Sequence, residues 1–184
     1  MKIDKRTTLE KFVYYVDVFG VTEKQFEGYL DQIKDYPLPE HLKVSFNDLK
    51  FRQLIELQNR VATFLDLIFV PFEVVHGLPK EKVLKMSAFD CLAFALYSKD
   101  ELERITKLFK AIEYKPTSEE QQAGINTISH GFFGTIDWYA RRMGITDHDE
   151  VVELNWMRIY QCLKIDFDNN KFEKNYRKVI TQKK

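Results

Sequence analysis

Glu73 and His76 have the Glu-x-x-His spacing that presents two metal ligands from one helix face in di-iron bundles. Such a centre also needs a second Glu-x-x-His pair and two further glutamates, and no other histidine of the chain follows a glutamate at that distance. A helix that ends before Gly77 explains the pair without a metal, because a histidine is stabilised near the negative end of the helix dipole. We therefore predict no metal site here.

Residues 166–170 begin like a calcium-binding loop, with oxygen-bearing side chains at alternate positions. Lys171 occupies the position that requires glycine, and Arg177 occupies the position of the last, bidentate glutamate. A positively charged side chain cannot coordinate Ca²⁺ in place of that carboxylate. We therefore predict a polar turn between two helices.

Two further segments have simpler structural explanations. Residues 147–150, Asp-His-Asp-Glu, have the residue types for acid–base work, but they begin a predicted helix, where acidic side chains cap free N–H groups. Gly131 and Gly134 precede another helix without the Gly-Lys-Ser/Thr ending of a phosphate-binding loop. We predict caps and turns at both places.

Asp90 interrupts an apolar segment, so its carboxylate is expected to be buried. A buried carboxylate needs a partner, and a salt bridge or capping bond to another helix is the structural interpretation. The catalytic interpretation requires a second group, and the only assembly we find is a scattered one of Asp90, Glu73 and His76. We predict structural pairing, with a helical enzyme as the remaining alternative.

Composition narrows the function classes further. The 184 residues include 28 basic and 28 acidic ones, so no long-range field attracts nucleic acid, which is not expected as the main partner. Cys91 and Cys162 are the only cysteines and each lies in an apolar stretch, which favours buried thiols in a cytosolic protein. No apolar run approaches the ~20 residues of a membrane span. We expect a soluble protein without a cofactor.

Helical periodicity dominates the chain. Leu9, Phe12 and Val16 share the face of a first helix that ends at Gly20, and Thr22 with Gln25 forms a capping box for a second. Only residues 42–46 alternate as in a strand.

The later boundaries follow from the same signals. We predict one long helix with the seam Leu54, Leu57, Val61, Phe64 and Ile68, kinked or ended by Pro71. Further starts are predicted at Ser98, Ser118 and Thr146, a helix end at Gly144, and an amphipathic helix after residue 170.

These elements predict an all-α fold, a compact multi-helix bundle of about eight or nine helices with at most one short extended segment. We expect a single helical domain over residues 1–184. A division into an N-terminal helical hairpin, residues 1–37, packed on a main bundle, residues 45–184, is the alternative organisation, because the prolines at 37 and 39 mark the most natural boundary.

The last third to half of the chain carries a pattern of glycine turns and aromatic residues. Its members are Ala123-Gly124-Ile125, Phe133-Gly134-Thr135-Ile136-Asp137 running into Ala140, Asp149-Glu150-Val151, Trp156, Tyr160, Leu163 and Tyr176. In this pattern the chain resembles small helical virion and assembly proteins of tailed bacteriophages, including those of crAss-like phages of Bacteroides-type hosts. The resemblance implies a head–tail connector ring, another portal-associated protein or a tail-assembly factor, located in the bacterial host cytoplasm and then in the virion.

We therefore expect a non-enzymatic structural or assembly protein whose partners are virion components and copies of itself. A tail-assembly chaperone or another adaptor or regulatory module is the alternative, and its location would be cytoplasmic. Trp138, Trp156 and Tyr160 are the candidate interface residues, because aromatic side chains are enriched at interface hot spots. Ordinary core packing is the alternative for each.

Overall fold

The computed structural model describes residues 6–182. It contains the α-helices α1 (Leu9–Phe19), α2 (Glu23–Ile33), α3 (Phe51–Arg60), α4 (Phe64–His76), α5 (Lys80–Val83), α6 (Ala88–Ala111), α7 (Ser118–Gln122), α8 (Gly131–Met143), α9 (His148–Val152) and α10 (Trp156–Gln182). Three single 3-10 turns join them, and the described residues contain no strand. The all-α fold class is confirmed.

The chain divides into two compact units. Unit 1 comprises residues 1–46 and 53–104, and unit 2 comprises residues 47–52 and 105–184. The boundary falls inside α3 and inside α6, whereas the predicted hairpin, α1 and α2, belongs entirely to unit 1.

The predicted end of α1 and start of α2 are confirmed, whereas α2 ends at Ile33, ahead of the prolines at 37 and 39 that were expected to stop it. Gly20 adopts the left-handed conformation (φ 61°) that a C-cap requires, and the Thr22 hydroxyl and Gln25 side chain form the reciprocal capping box. The apolar faces of both helices are buried in the core of unit 1, with Phe12 and Phe26 almost fully enclosed. Local caps and apolar period agree here, which is why the prediction succeeds.

The predicted single helix with the seam from Leu54 to Ile68 is wrong, because α3 ends at Arg60 and α4 begins at Phe64. Thr63 is the cause: its hydroxyl accepts from the Asp66 N–H at 3.2 Å, and the Asp66 carboxylate accepts from the Thr63 N–H at 2.9 Å. Partial burial of Asp66 works against ionisation, but the hydrogen bonds from Thr63 lower the pKa of this carboxyl. Pro71 does not end α4; it lies buried inside the helix.

Replacing Thr63 by alanine removes the start signal of α4. We expect the free energy of unfolding to fall by about 1 kcal/mol, the usual contribution of an N-cap hydroxyl. Urea denaturation of Thr63→Ala and Thr63→Ser measures it, because serine retains the hydroxyl and should remain close to wild type. Equal losses in both variants would show that the hydroxyl does not stabilise the start of α4.

Ser98 does not begin a helix; it lies in the middle of α6, which is continuous over 24 residues. The Ser98 side chain is fully buried, and its hydroxyl donates to the Phe94 carbonyl at 2.8 Å. A serine that bonds back to residue i−4 satisfies itself within the helix, so it carries no capping function.

The strand-like alternation of residues 42–46 does not produce a strand. The two end residues of this segment belong to 3-10 turns, Glu40–Leu42 and Phe46–Asp48. The turns bury Leu42 and Phe46, which gives the same alternation as a half-buried strand. The Val44 carbonyl accepts a hydrogen bond at 2.6 Å from the hydroxyl of Tyr97, so a side chain of α6 takes the place of a strand partner for this carbonyl.

Unit 2 is built around Trp156. The segment before α3 runs antiparallel to the start of α10: Leu49 accepts from the Trp156 N–H at 3.2 Å, and Phe51 donates its N–H to Leu154 at 2.8 Å. The Trp156 side chain is fully buried, with the Phe109 ring 5.9 Å away.

Two predicted starts in unit 2 are displaced by one residue, because the neighbouring side chain makes the capping bond. Thr117, not Ser118, caps α7, and Asp147, not Thr146, caps α9. The predicted end of α8 at Gly144, which has φ 67°, is confirmed.

The predicted turn at residues 166–170 is wrong. Helix α10, which is 27 residues long and contains no glycine or proline, continues through these positions. The chain is instead interrupted at residues 153–155, between α9 and α10, where no break was predicted. The Lys164 ammonium contacts the Asp168 carboxylate one turn later at 2.7 Å, a pairing that supports the helix at the supposed turn.

Among residues 6–182, no helix is both long enough and apolar enough to span a bilayer.

Candidate functional site

The three groups of the enzyme alternative each have a structural environment of their own in unit 1. Glu73 forms an ion pair of 2.6 Å with Arg60, and this hydrogen bond lowers the pKa of the Glu73 carboxyl. Asp90 accepts a hydrogen bond of 3.0 Å from the hydroxyl of Tyr36, which raises the pKa of that hydroxyl. Asp90 is half-buried, not fully buried as expected, and its partner is a tyrosine of the connection after α2, not the predicted salt bridge or capping bond to another helix.

His76 lies at the end of α4 against two phenyl rings. Its imidazole centroid is 6.0 Å from that of Phe72 and 4.8 Å from that of Phe94, and its Nε2 is buried without a hydrogen-bond partner among the described residues. Burial lowers its pKa, with a further contribution from the charge of His41, against a hydrogen bond to the Leu42 backbone that raises it. The folded protein therefore favours the neutral imidazole.

This environment makes stability depend on pH. In the unfolded chain His76 takes up a proton near its ordinary pKa of 6.5, whereas in the folded chain it stays neutral to lower pH. The unfolded state thus binds more protons, and the free energy of unfolding should fall as pH drops through 6.5, by at most ~1.4 kcal/mol per pH unit. Urea denaturation of wild type and His76→Gln at several pH values measures this slope, and equal slopes would contradict it.

The calcium-like residues of α10 are engaged in ion pairs. Asp166 pairs with Arg142 of α8, and Asp168 pairs with Lys164. Among the residues that the structure describes, no three His, Cys, Asp or Glu side chains come together as metal ligands would. Asp147 caps α9, accepting from the Asp149 N–H at 2.9 Å, so the predicted capping role of residues 147–150 is confirmed.

The three predicted interface residues occupy different environments in unit 2. Trp156 is fully buried and Tyr160 nearly so, both against Phe109 at ring distances of 5.9 and 5.4 Å. Trp138 is half-buried, with the Arg142 guanidinium 5.5 Å from its ring. The first two thus stabilise the core of unit 2, and Trp138 remains the candidate whose surface is accessible to a partner.

A more extensive apolar surface lies on the second half of α10. We call Ile165, Asn169, Phe172, Tyr176 and Val179 the α10 stripe, because successive members are four or three residues apart and share one helix face. Phe172 is 64% exposed and Tyr176 53% exposed, and their rings stack at 6.0 Å with an interplanar angle of 11°. Ile180, also exposed, borders the stripe. Four of the five stripe members are thus apolar side chains at least half open to solvent.

The opposite face of α10 lines a groove of unit 2. Leu163, Phe167, Asn170 and Lys174 follow the same four-and-three spacing there, and the wall across from them is formed by residues 111–115 and Trp138. The groove has a volume of about 820 Å³. The Lys174 ammonium lies 4.6 Å from the Tyr114 ring centroid, so the groove combines aromatic surface with positive charge.

Sequence reasoning missed the α10 stripe, because the predicted turn at residues 166–170 separated Ile165 from Phe172. Two signals identify the continuous helix: the absence of glycine and proline after residue 155, and the Lys164–Asp168 pair at i and i+4.

Helix α1 carries a second exposed apolar group. Tyr14 is 69% exposed and Phe19 is 67% exposed, so both are at least as open as Tyr176 and Phe172. The exposed apolar residues of α1 are four residues and then one residue apart: Tyr14, Val18 and Phe19. They therefore do not form a row along one face of the helix. The group provides a matched control for the α10 stripe.

Comparison of the chain with protein-family models, with curated proteins and with solved structures found no match.

Proposed function

We propose that this protein is a non-enzymatic structural or assembly protein that acts through protein–protein contacts, with the α10 stripe as its main contact surface. The observation that carries the proposal is the stripe itself: Phe172 and Tyr176 are more than half exposed in a row of apolar side chains. A row of exposed apolar side chains along one helix face is typical of a helix-to-helix contact.

The environments of the candidate catalytic groups support the same proposal. Glu73 and Asp90 are bound to Arg60 and Tyr36, and His76 is held against two phenyl rings. A general base must lie within hydrogen-bond reach of the substrate proton that it removes. These contacts give each group a stabilising role instead.

The finer proposal is a head–tail connector or another portal-associated ring component of a tailed phage, made in the host cytoplasm and retained in the virion. It rests on the residue pattern between Ala123 and Tyr176. Its partners would be other virion components and copies of this chain, which a ring requires.

A second candidate function, an adaptor or tail-assembly chaperone, is favoured by the groove of unit 2. Trp138 and Tyr114 supply aromatic surface there, and Lys171, Lys174 and Lys178 supply positive charge. Such a groove suits a peptide segment that carries an apolar anchor and acidic residues.

The mass of the purified protein in solution, measured by light scattering over a range of concentrations, tests the proposed function. We expect the mass to rise from the 21.9 kDa of one chain towards a discrete multiple. A constant single-chain mass, together with a thermal shift on adding a metal ion or a small ligand, would contradict the assembly role and favour an enzyme. A constant mass without such a shift would favour the adaptor.

A further inference from the structure

We infer that the groove of unit 2 binds an acidic peptide segment of another protein, with a large apolar side chain seated against Trp138 and carboxylates placed along the lysines of α10. This inference rests on the second candidate function, and it names the chemistry of the partner and its placement in the groove. All residues that line the groove belong to unit 2, and α10 contributes the face opposite to the α10 stripe. A bound peptide therefore leaves the stripe open.

The apolar end of the groove is formed by Leu163 and Phe167 of α10 and Trp138 of α8, each of them half-buried. Arg142 fixes Trp138 at this part of α10, because its guanidinium lies 5.5 Å from the Trp138 ring and pairs with Asp166. A large apolar side chain of a partner would remove the open part of this surface from water. The groove volume of about 820 Å³ lies in the ~300–1,000 Å³ range of ligand-binding clefts, which gives such a side chain room.

The basic end of the groove is formed by exposed lysines that are three and four residues apart and so share one face of α10: Lys171, Lys174 and Lys178. The Lys174 ammonium lies 4.6 Å from the Tyr114 ring, whose hydroxyl donates to Glu120 at 2.6 Å. Neither Lys171 nor Lys178 forms an ion pair with any residue between 6 and 182. Their charges are therefore available to the carboxylates of a partner.

The spacing of the lysines sets the length of the acidic stretch. From Lys171 to Lys178 the helix rises about 10 Å, a distance that an extended peptide covers in about three residues. Alternate side chains of an extended peptide point to the same side, so two carboxylates two residues apart meet this row. Phe167 lies one helical turn before Lys171, so the apolar side chain is separated from the first carboxylate by only one or two residues.

The acidic residues of the groove favour a peptide over a nucleic acid strand. Among the described residues that line the groove, five are basic and three are acidic, and one of the acids, Asp166, is already paired with Arg142. The other two, Glu113 and Glu173, would repel a strand that carries one phosphate at every nucleotide. A peptide can place carboxylates opposite the lysines and neutral side chains opposite these two glutamates.

The intrinsic fluorescence of Trp138 tests the inference on the full chain. The chain has two tryptophans, and Trp156 is fully buried, so a ligand in the groove changes the emission of Trp138. The probe is a short synthetic peptide without aromatic residues, in which one leucine is followed by glutamates at alternate positions. We expect a saturable shift of the emission to shorter wavelength as the leucine covers the indole, and no such shift in Trp138→Phe.

Three matched probes define the chemistry of the partner. These are the same peptide with lysine for glutamate, the same peptide with serine for leucine, and an oligothymidine of equal charge. We expect all three to bind more weakly than the first peptide, and binding of the first peptide to weaken as salt is added, because the charges are exposed. Tighter binding of the oligothymidine would overturn the inference in favour of a nucleic acid site. Equal binding of the glutamate and lysine peptides would also overturn it.

A charge reversal locates the binding site on α10. Lys171→Glu/Lys178→Glu should weaken binding of the glutamate peptide by about tenfold, through two lost exposed ion pairs, and should gain binding of the lysine peptide. Lys82→Glu/Lys85→Glu, an exposed pair of unit 1, is the control with the same change of net charge, and it should bind as wild type does. Equal affinities of the two double variants would contradict the placement of the carboxylates.

The peptide titration and the mass in solution separate this inference from the assembly role. If the glutamate peptide does not bind while wild type grows in mass, the inference and the second candidate function fail and the assembly role stands. If the peptide binds and the mass of wild type stays constant, the inference stands and the assembly role fails.

Discussion

Trp156→Ala should lower the free energy of unfolding by about 3–5 kcal/mol, the usual cost of deleting a fully buried large aromatic side chain. The indole is completely enclosed in unit 2, with the rings of Phe109 and Tyr160 centred 5.9 and 6.2 Å away. Its backbone N–H also donates to Leu49, so the side chain lies where the segment before α3 meets α10. Native domains are stable by about 5–15 kcal/mol, so this loss is a large fraction of the total.

Urea denaturation followed by circular dichroism measures the effect, with Trp156→Phe as the matched control that keeps an aromatic ring. The control should lose less, because the cavity it leaves is smaller. An alanine variant as stable as wild type would overturn the core role of Trp156 and return it to the interface candidates. Trp138→Ala, at a half-buried position, should cost less than Trp156→Ala and affect partner binding if Trp138 is a contact residue.

Phe94→Ala is the second large prediction, again with an expected loss of about 3–5 kcal/mol. The Phe94 ring is fully buried in unit 1 and lies 4.7 Å from the Phe72 ring and 4.8 Å from the His76 ring. Deleting it also removes the burial that keeps His76 neutral, so the pH dependence assigned to His76 should weaken in the same variant.

Phe94→Leu serves as the control of similar volume, and Phe172→Ala serves as the exposed comparison. Leucine should recover part of the loss, and alanine at position 172 should change the free energy of unfolding by no more than about 0.5 kcal/mol, because an exposed substitution leaves no cavity. Equal effects at positions 94 and 172 would contradict the assignment of one to the core and the other to the surface.

Local signals predicted those parts of the fold that depend on neighbours in sequence. The capping box of Thr22 and Gln25 and the left-handed glycines 20 and 144 set helix ends through contacts within a few residues. The all-α class follows from the same signals repeated along the chain.

The errors arose where two local signals competed. The continuous apolar seam from Leu54 to Ile68 favoured one helix, but the capping box of Thr63 and Asp66 interrupts it. Ser98 has the sequence of a cap, yet its buried position lets the hydroxyl bond to Phe94 within the helix. Burial decides the case of Ser98, and burial depends on residues distant in sequence.

The candidate site was the least predictable part. Apolar period identified the amphipathic face that includes Phe172 and Tyr176, but period alone does not tell whether another part of the chain covers that face. The three aromatic residues selected from sequence share a residue type with interface hot spots, and two of them, Trp156 and Tyr160, lie in the core of unit 2. A helix face becomes a candidate contact surface only when the rest of the fold leaves it open.

The most direct test of the contact role of α10 is the mass in solution, measured by light scattering at increasing concentration, of three proteins. These are wild type, the double variant Phe172→Ser/Tyr176→Ser, and the matched variant Tyr14→Ser/Phe19→Ser on α1, which removes side chains of the same types and similar exposure. We predict that wild type and the α1 variant grow beyond 21.9 kDa together, whereas the α10 variant remains at that mass. Identical curves for all three proteins would contradict the role of the α10 stripe as the contact surface.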